Sequence, residues 1–287
     1  MVASRYVKSP LNYMGGKFKI LSTIMPKINS QPTDVFVDVF AGGFNVGVNS
    51  NAETVVCNDQ IVYLVNMLEY LSNTPTKKII EATNACISEF NLSKENAEGY
   101  LRLRERYNAK KTPLDLFVLT CFSFNHQIRF NSKHQFNVPF GKNRSSYNTR
   151  IENNLQLFCQ VISQKKVVFS SKDFRELSFD NLTKNSLVYC DPPYLISTGT
   201  YNDGRRGFSG WGKQDERDLL DLLTSLNDKK IRFALSNAFT NKGLVNELLI
   251  DWARDYKVLH INNSFTNCSY HYLDRNSGTD EVMVTNF

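Results

Sequence analysis

Asp191-Pro192-Pro193-Tyr194 places a carboxylate, a free carbonyl and an aromatic face within four positions. It follows Leu187-Val188-Tyr189-Cys190, an apolar run with the character of a buried strand. Two prolines cannot continue a ladder, because proline has no N–H to donate. The chain therefore stops at the carboxyl end of the strand and holds a stiff loop there, where open α/β sheets place their ligands. Such a loop can hold a flat group bearing an exocyclic amine. Asp191 and the Pro192 carbonyl accept its two N–H bonds, and Tyr194 stacks on its face. Taken alone, the four residues also suit a strand-ending turn with a surface tyrosine.

Two further stretches have types and spacing that suit a ligand. Tyr13 precedes Gly15-Gly16-Lys17, where backbone N–H groups and an ammonium at a helix start can approach a ligand closely. It is not a Walker loop, since the spacing and the residue after the lysine are wrong. The same residues also suit a plain N-terminal turn. Farther on, Val35-Phe36-Val37-Asp38-Val39-Phe40 is β-branched and aromatic, a buried-strand signal. Ala41-Gly42-Gly43 follows at once, then an apolar segment that opens a helix, and a second strand, Thr54-Val55-Val56-Cys57, ends in Asn58-Asp59. Asp59 lies 21 residues beyond Asp38, near the offset at which an acid reaches a ribose hydroxyl. Strand, glycine turn, strand and acid in this register point to an adenosine-containing ligand. The alternative is a fortuitous turn with a helix cap at Asp59.

The elements that must position these groups are a sheet and an interruption in it. Residues 61–71, 76–90, 94–108 and 113–122 read as helices, with Pro75 and Pro113 near two starts. So long a departure from strand pattern reads as an inserted helical subdomain. Strand pattern returns at 166–170, followed by Asp173-Phe174, and continues at 187–190, 231–236, 256–261 and 281–287. Residues 214–227 have the periodicity of an amphipathic helix. The stretch 195–213, with Arg205, Arg206 and Lys213, reads as a long loop able to serve as a lid.

Residues 116–151 contain no Asp or Glu. Arg129, Lys133, Lys142, Arg144 and Arg150 stand among Phe124, Phe130, Phe136, Phe140 and Tyr147, with asparagines recurring at positions such as Asn131. Such a segment suits phosphate contacts and base-edge readout, or a basic loop covering the core. The phenylalanines of Phe136-Asn137-Val138-Pro139-Phe140-Gly141 are expected in the core.

The chain has 287 residues, 41% of them hydrophobic, and a formal net charge of +6. That provides a full core and a moderate basic bias, compatible with a polyanionic partner. Six cysteines without a Cys-x-x-Cys pair fit reduced thiols in a cytoplasmic protein. The four histidines show no zinc-ligand spacing, so no metal is expected. Lys8, Lys17, Lys19 and Lys27 interrupt the N-terminal stretch, and neither a signal peptide nor a membrane span is expected.

In this order the motifs resemble the Dam-like, alpha-group (D12 class) adenine-N6 DNA methyltransferases over almost the whole chain. The resemblance rests on Tyr13, Gly15, Gly16 and Lys17, the turn Asp38 to Gly43, and Asp59. It continues through the stretch Asn125 to Gly141, Asp173-Phe174, Asp191 to Tyr194, Ser236-Asn237 and Glu281 to Asn286. The chain departs from the pattern at Tyr13, where such enzymes often carry Trp, and matches poorly at 142–150 and 195–213.

The resemblance implies an α/β fold: a Rossmann-like class I S-adenosylmethionine-dependent methyltransferase sheet over 1–60 and 160–287, with a target-recognition domain inserted at 61–159. It implies S-adenosylmethionine as donor and S-adenosylhomocysteine as product. Tyr13, Gly15, Gly16 and Lys17 face the methionine end. Asp38 and the backbone of Phe40, Ala41, Gly42 and Gly43 border the methionine and ribose, and Asp59 takes the ribose hydroxyls. Asp173 accepts from the adenine amine while Phe174 packs on its ring. Asp191 bridges cofactor and target amine in a base flipped out of double-stranded DNA. Arg129, Asn131, Lys133, Lys142, Arg144, Arg150, Arg205 and Arg206 are the DNA-contact candidates. A monomer, GATC as the site and a separately acting restriction endonuclease are further implications. The same amine-holding logic also serves N4 of cytosine, and RNA or protein amides, so these readings stay open beside a non-enzymatic DNA-binding module.

Overall fold

The computed structural model describes residues 6–196, 210–261 and 278–287. Within them the strands are Val35–Asp38 (β1), Thr54–Asn58 (β2), Lys166–Ser170 (β3), Leu187–Cys190 (β4), Arg232–Asn241 (β5), Leu244–Val245 (β6), Lys257–His260 (β7) and Thr279–Thr285 (β8). They form one sheet in the order β3-β2-β1-β4-β5-β8-β7, with β6 paired to β5. β1 to β5 run parallel; β8 is antiparallel to both β5 and β7. This mostly parallel sheet flanked by helices is the α/β fold the resemblance implies.

The helices are Leu21–Ile28 (α1), Val62–Asn73 (α2), Thr76–Glu89 (α3), Ala97–Ala109 (α4), Pro113–Phe122 (α5), Thr149–Ile162 (α6), Lys213–Asp228 (α7) and Glu247–Trp252 (α8). Alternation along the strands separates two apolar clusters. Phe36, Val55, Cys57, Tyr189 and Met283 belong with the side chains of α1 to α6. Val37, Val39, Val188, Cys190, Phe233 and Val284 belong with those of α7 and α8. A strand covered on both faces must be apolar throughout, as β4 is. The helical segment is continuous with the sheet's own core: Leu64, Tyr100, Leu116 and Phe158 share the first cluster.

Two sequence expectations need correction. The segment after Gly43 forms only a 3-10 turn, Gly47–Asn49, before β2. Its side chains are engaged elsewhere. Asn45 accepts from Ser9 N (3.0 Å), Asn49 accepts from Val7 N (2.8 Å), and Asp38 Oδ2 accepts from Gly47 N (3.0 Å). The turn thus anchors the N-terminal segment. The strand expected at 231–236 extends to Asn241 and turns back through β6, and the short helix α8 follows it.

Residues 123–141 fold as an irregular antiparallel hairpin. Isolated bridges join Ser123 to Phe140 and Phe130 to Phe136, and Asn131 N donates to Gln135 O at the tip (2.9 Å). Gly141 closes it because a Cβ there would stand 2.8 Å from the Ser123 carbonyl. Phe130 and Phe136 are buried, and Phe140 is half-buried against the same cluster.

Candidate active site

Strands β1 and β4 are neighbours whose connections leave to opposite sides of the sheet. A crevice opens at their carboxyl ends, the usual ligand site of an open α/β sheet. Asp38 pairs in register with Tyr189, so the Asp191 loop and the Phe40–Gly43 turn leave the sheet side by side. Between them lies a cleft of about 760 Å³. It gathers Tyr13, Gly15, Gly16, Lys17, Asp38, Phe40, Ala41, Gly42, Gly43, Asp59, Asp173, Phe174, Asp191, Pro192, Pro193 and Tyr194, all drawn into one site from stretches far apart in the chain.

Gly42 has φ +50°, the left-handed region, and a Cβ there would lie 2.8 Å from the Tyr13 ring. Only glycine fits this turn without strain or displacement of that ring. The turn is fixed from β2: Asp59 Oδ2 accepts from Gly42 N (2.9 Å), and Oδ1 accepts from Ile61 N (2.9 Å). Burial pushes the Asp59 carboxyl up, against the lowering effect of those two bonds. Asp38 Oδ1 is buried and has no hydrogen-bond partner among the described residues. Burial holds the Asp38 carboxyl well above its usual range, reinforced by the charges of Asp191 and Asp59.

One end of the cleft is ionic. Lys17 Nζ lies 2.8 Å from Asp191 Oδ1 and 3.7 Å from Glu281 Oε1, and donates to the Gly15 carbonyl (3.0 Å). It also stands 5.1 Å from the centre of the Tyr194 ring. The Tyr194 hydroxyl donates to Glu281 Oε1 (2.9 Å), with Asp191 Oδ1 at 3.5 Å. Burial raises the Asp191 carboxyl to about 6; Lys17 pulls it down and Glu281 pushes it up. A carboxylate poised there accepts hydrogen bonds at neutral pH yet takes a proton readily.

The other end is aromatic. Phe174 packs on Phe40 and on Trp211, with ring centres 5.7 Å apart in both pairs. Trp211 is fixed by its indole N–H, which donates to Glu216 Oε2 (2.7 Å). Asp173 caps its own turn by accepting from Arg175 N (3.0 Å), and the Arg175 guanidinium bonds Asp173, Asp215 and Asp218. An apolar slot with an acid at its edge suits a flat heterocycle bearing an amine.

The basic candidates among the described residues lie apart from the cleft lining. Arg129 is half-buried and bonds Asn137 across the hairpin, through Nε to Oδ1 (3.0 Å) and Nη2 to the carbonyl (3.2 Å). Asn131 Oδ1 accepts from Lys133 N and Gln135 N, shaping the tip. Lys133, Lys142, Arg144 and Arg150 are exposed. The Arg144 guanidinium stands 4.9 Å over Phe124, itself exposed. Asn12 donates to the Asn125 carbonyl (2.9 Å), so the hairpin base adjoins the cleft beside Tyr13. Arg205 and Arg206 lie outside the described residues, as does most of the stretch read as a lid.

Sequence reasoning missed Glu281, Trp211, Tyr189 and Lys19 as cleft-lining residues. Glu281 is the second of two acids, after Asp280, that lead directly into the apolar Val282-Met283-Val284 of the closing strand, which is the signal that could have found it. Trp211 precedes a helix by two residues with no periodic pattern around it. Among the described residues, no group of three or more His, Cys, Asp or Glu side chains is placed to hold a metal, and no helix is long and apolar enough to cross a membrane.

Comparison with known proteins agrees with this geometry. The chain is 45% identical over 282 residues to the Type II methyltransferase M.FokI of Planomicrobium okeanokoites, covering 98% of this chain and 43% of that protein. It is 42% identical over 285 residues to the modification methylase StsI of Streptococcus sanguinis, covering 99% of this chain and 43% of that protein. The chain thus spans less than half the length of these two relatives. A DNA adenine methylase of Haemophilus influenzae is 30% identical over 233 residues, covering 79% of this chain and 78% of that protein. Residues 13–267 match the model of the D12 class N6 adenine-specific DNA methyltransferases, and this chain belongs to that family.

Proposed function

We propose that this protein transfers a methyl group from S-adenosylmethionine to the N6 amine of adenine in double-stranded DNA, leaving S-adenosylhomocysteine. The observation that carries the reading is the opening of the Asp191-Pro192-Pro193-Tyr194 loop into the same cleft as the Gly42 turn.

The residues present fit S-adenosylmethionine. Asp38 offers a buried carboxylate oxygen without a partner, beside the Asp59 and Asp191 carboxylates, which suits a cationic ligand rich in hydroxyls. Tyr13, Gly15, Gly16 and Lys17 would hold the methionine end, the Phe40–Gly43 backbone and Asp59 the ribose, and Asp173, Phe174 and Trp211 the adenine. The bound cofactor supplies an electrophilic methyl group.

The chain's own residues prepare the acceptor. Adenine N6 is a poor nucleophile because its lone pair is delocalised into the ring. Hydrogen bonds from the amine to Asp191 and to the Pro192 carbonyl favour a more tetrahedral nitrogen, its lone pair free for attack. Positioning of this kind provides much of the acceleration. Extruding the base costs a few kcal/mol, of which stacking on Tyr194 returns about 1–3 kcal/mol. A carboxyl near 6 at Asp191 is also suited to receive the proton the methylated amine sheds.

In this reading residues 61–159 act as the target-recognition part and 1–60 with 160–287 as the catalytic part. Arg129 and Asn131 shape the hairpin, while Lys133, Lys142, Arg144 and Arg150 meet phosphates. The names of the first two relatives support a modification role. We propose in addition that it is exercised in the cytoplasm by a monomer and is matched by a separately acting restriction endonuclease. Incubation with labelled S-adenosylmethionine and unmethylated duplex DNA, followed by nucleoside analysis, tests the reading. N6-methyladenine is the expected product; N4-methylcytosine would keep the amine-holding site and overturn the base assignment.

A further inference from the structure

Glu281 sits on β8 opposite Ala238 of β5, where the register between the two strands shifts between Ala238 and Thr240. An irregularity of this kind re-aims side chains beside a functional site. Here it coincides with the turning of Glu281 into the cleft, while its neighbour Asp280 pairs with His260 (2.8 Å). The Glu281 carboxylate touches two groups of the reaction site at once: the Tyr194 hydroxyl at 2.9 Å and the Lys17 ammonium at 3.7 Å. Lys17 in turn contacts Asp191 at 2.8 Å.

We propose that Glu281 is a positioning residue for methyl transfer: it fixes the plane of the Tyr194 ring and draws Lys17 away from full neutralisation of Asp191. The inference rests on the adenine-methylating reading of the cleft. Its physics is a charge balance. One ammonium between one carboxylate and its target would cancel that carboxylate and weaken it as an acceptor of the amine. One ammonium shared by two carboxylates leaves a net negative site, so Asp191 stays a strong acceptor in a poorly solvated cleft. The hydroxyl contact matters separately, because a stacking ring tethered at its far end presents one face to the flipped base at lower entropic cost.

The groups facing Asp191 are Lys17 from the N-terminal turn, Tyr194 from its own loop, Tyr189 from β4, Asp38 from β1 and Glu281 from β8. Lys17 favours the charged carboxylate and Glu281 opposes it, so removing the Glu281 charge makes Asp191 easier to ionise. The acid limb of the rate profile should then move to lower pH, a change that a purely structural role would not cause.

The test compares wild type, Glu281→Gln and Glu281→Ala in single-turnover methyl transfer to unmethylated duplex DNA across pH, with thermal midpoint as folding control. The Gln variant keeps an acceptor for the Tyr194 hydroxyl and loses the charge; Ala loses both. Expected are a lower acid limb in both variants, a roughly tenfold fall in transfer rate for Gln, and about 100-fold for Ala. Wild-type rates, or equal losses in the two variants with an unmoved acid limb, would overturn the proposal. Wild-type protein yielding no N6-methyladenine would instead overturn the reading of the cleft, and this inference with it.

Discussion

The Lys17 ammonium and the Asp191 carboxylate meet at 2.8 Å, although one stands near the N-terminus and the other follows the fourth strand. The pair joins the glycine-lysine turn to the Asp191–Tyr194 loop, so the proposed donor and acceptor sides of the cleft share one charge contact. Burial raises Asp191 to about 6, and Lys17 opposes the rise.

A pH dependence follows from that pair. Above about 6 Asp191 is ionised, the form in which the proposed mechanism has it accept from the target amine. Below it the carboxyl is protonated, so the ion pair is lost and only a weaker, neutral acceptor remains. Transfer by the wild type should therefore fall on the acid side with an apparent pKa near 6. Lys17→Gln removes the lowering influence, so its acid limb should lie at higher pH, opposite to the shift expected of Glu281→Gln. Single-turnover rates between about pH 5 and pH 8 check both signs. An unmoved limb in Lys17→Gln would separate Lys17 from Asp191.

Trp211 completes the slot formed by Phe40 and Phe174. Its truncation removes one wall and leaves the glycine turn intact. Trp211→Ala should weaken S-adenosylhomocysteine binding roughly two- to tenfold, the scale of one aromatic contact. Calorimetric titration measures it. Unchanged affinity would move the adenine elsewhere in the cleft.

Much of the site was legible in the sequence because its groups sit at strand ends. A buried strand followed by Asp-Pro-Pro-Tyr, and another followed by Ala-Gly-Gly, announce where the chain leaves the sheet; the fold then sets them side by side. The closing strand pair was legible for the same reason. The helix expected after Gly43 was not formed, because Asn45 and Asn49 bind the N-terminal segment, a partner that local pattern does not reveal. Glu281, read only as part of a closing motif, and Trp211 were not expected in the cleft, because each reaches it through contacts distant in sequence. Phe130 and Phe136 are buried and Phe140 and Tyr147 pack against the same cluster, so most of the aromatics among the basic residues serve the core, leaving Phe124 exposed.

The basic residues divide by their contacts. Arg129 holds the hairpin through Asn137, whereas Lys142, Arg144 and Arg150 present exposed charge. Alanine at each of the latter three should weaken binding to duplex DNA and lower the salt slope by about 1 for each phosphate no longer neutralised. Arg129→Ala should in addition lower thermal stability, since it unties two cross-hairpin hydrogen bonds. Filter binding at several salt concentrations with parallel melting curves separates the two classes. Unaltered slopes in all three exposed variants would place the DNA on another face.

The most direct measurement is labelled methyl transfer to unmethylated duplex DNA by wild type and Asp191→Asn, with cofactor binding measured on both. Asparagine keeps the shape of the side chain and removes the charge that receives the amine. The expected result is N6-methyladenine from the wild type, a fall of about 100- to 1000-fold in Asp191→Asn, and a folded variant that still binds S-adenosylhomocysteine. A folded Asp191→Asn protein that methylates adenine at the wild-type rate would contradict the assignment of the cleft.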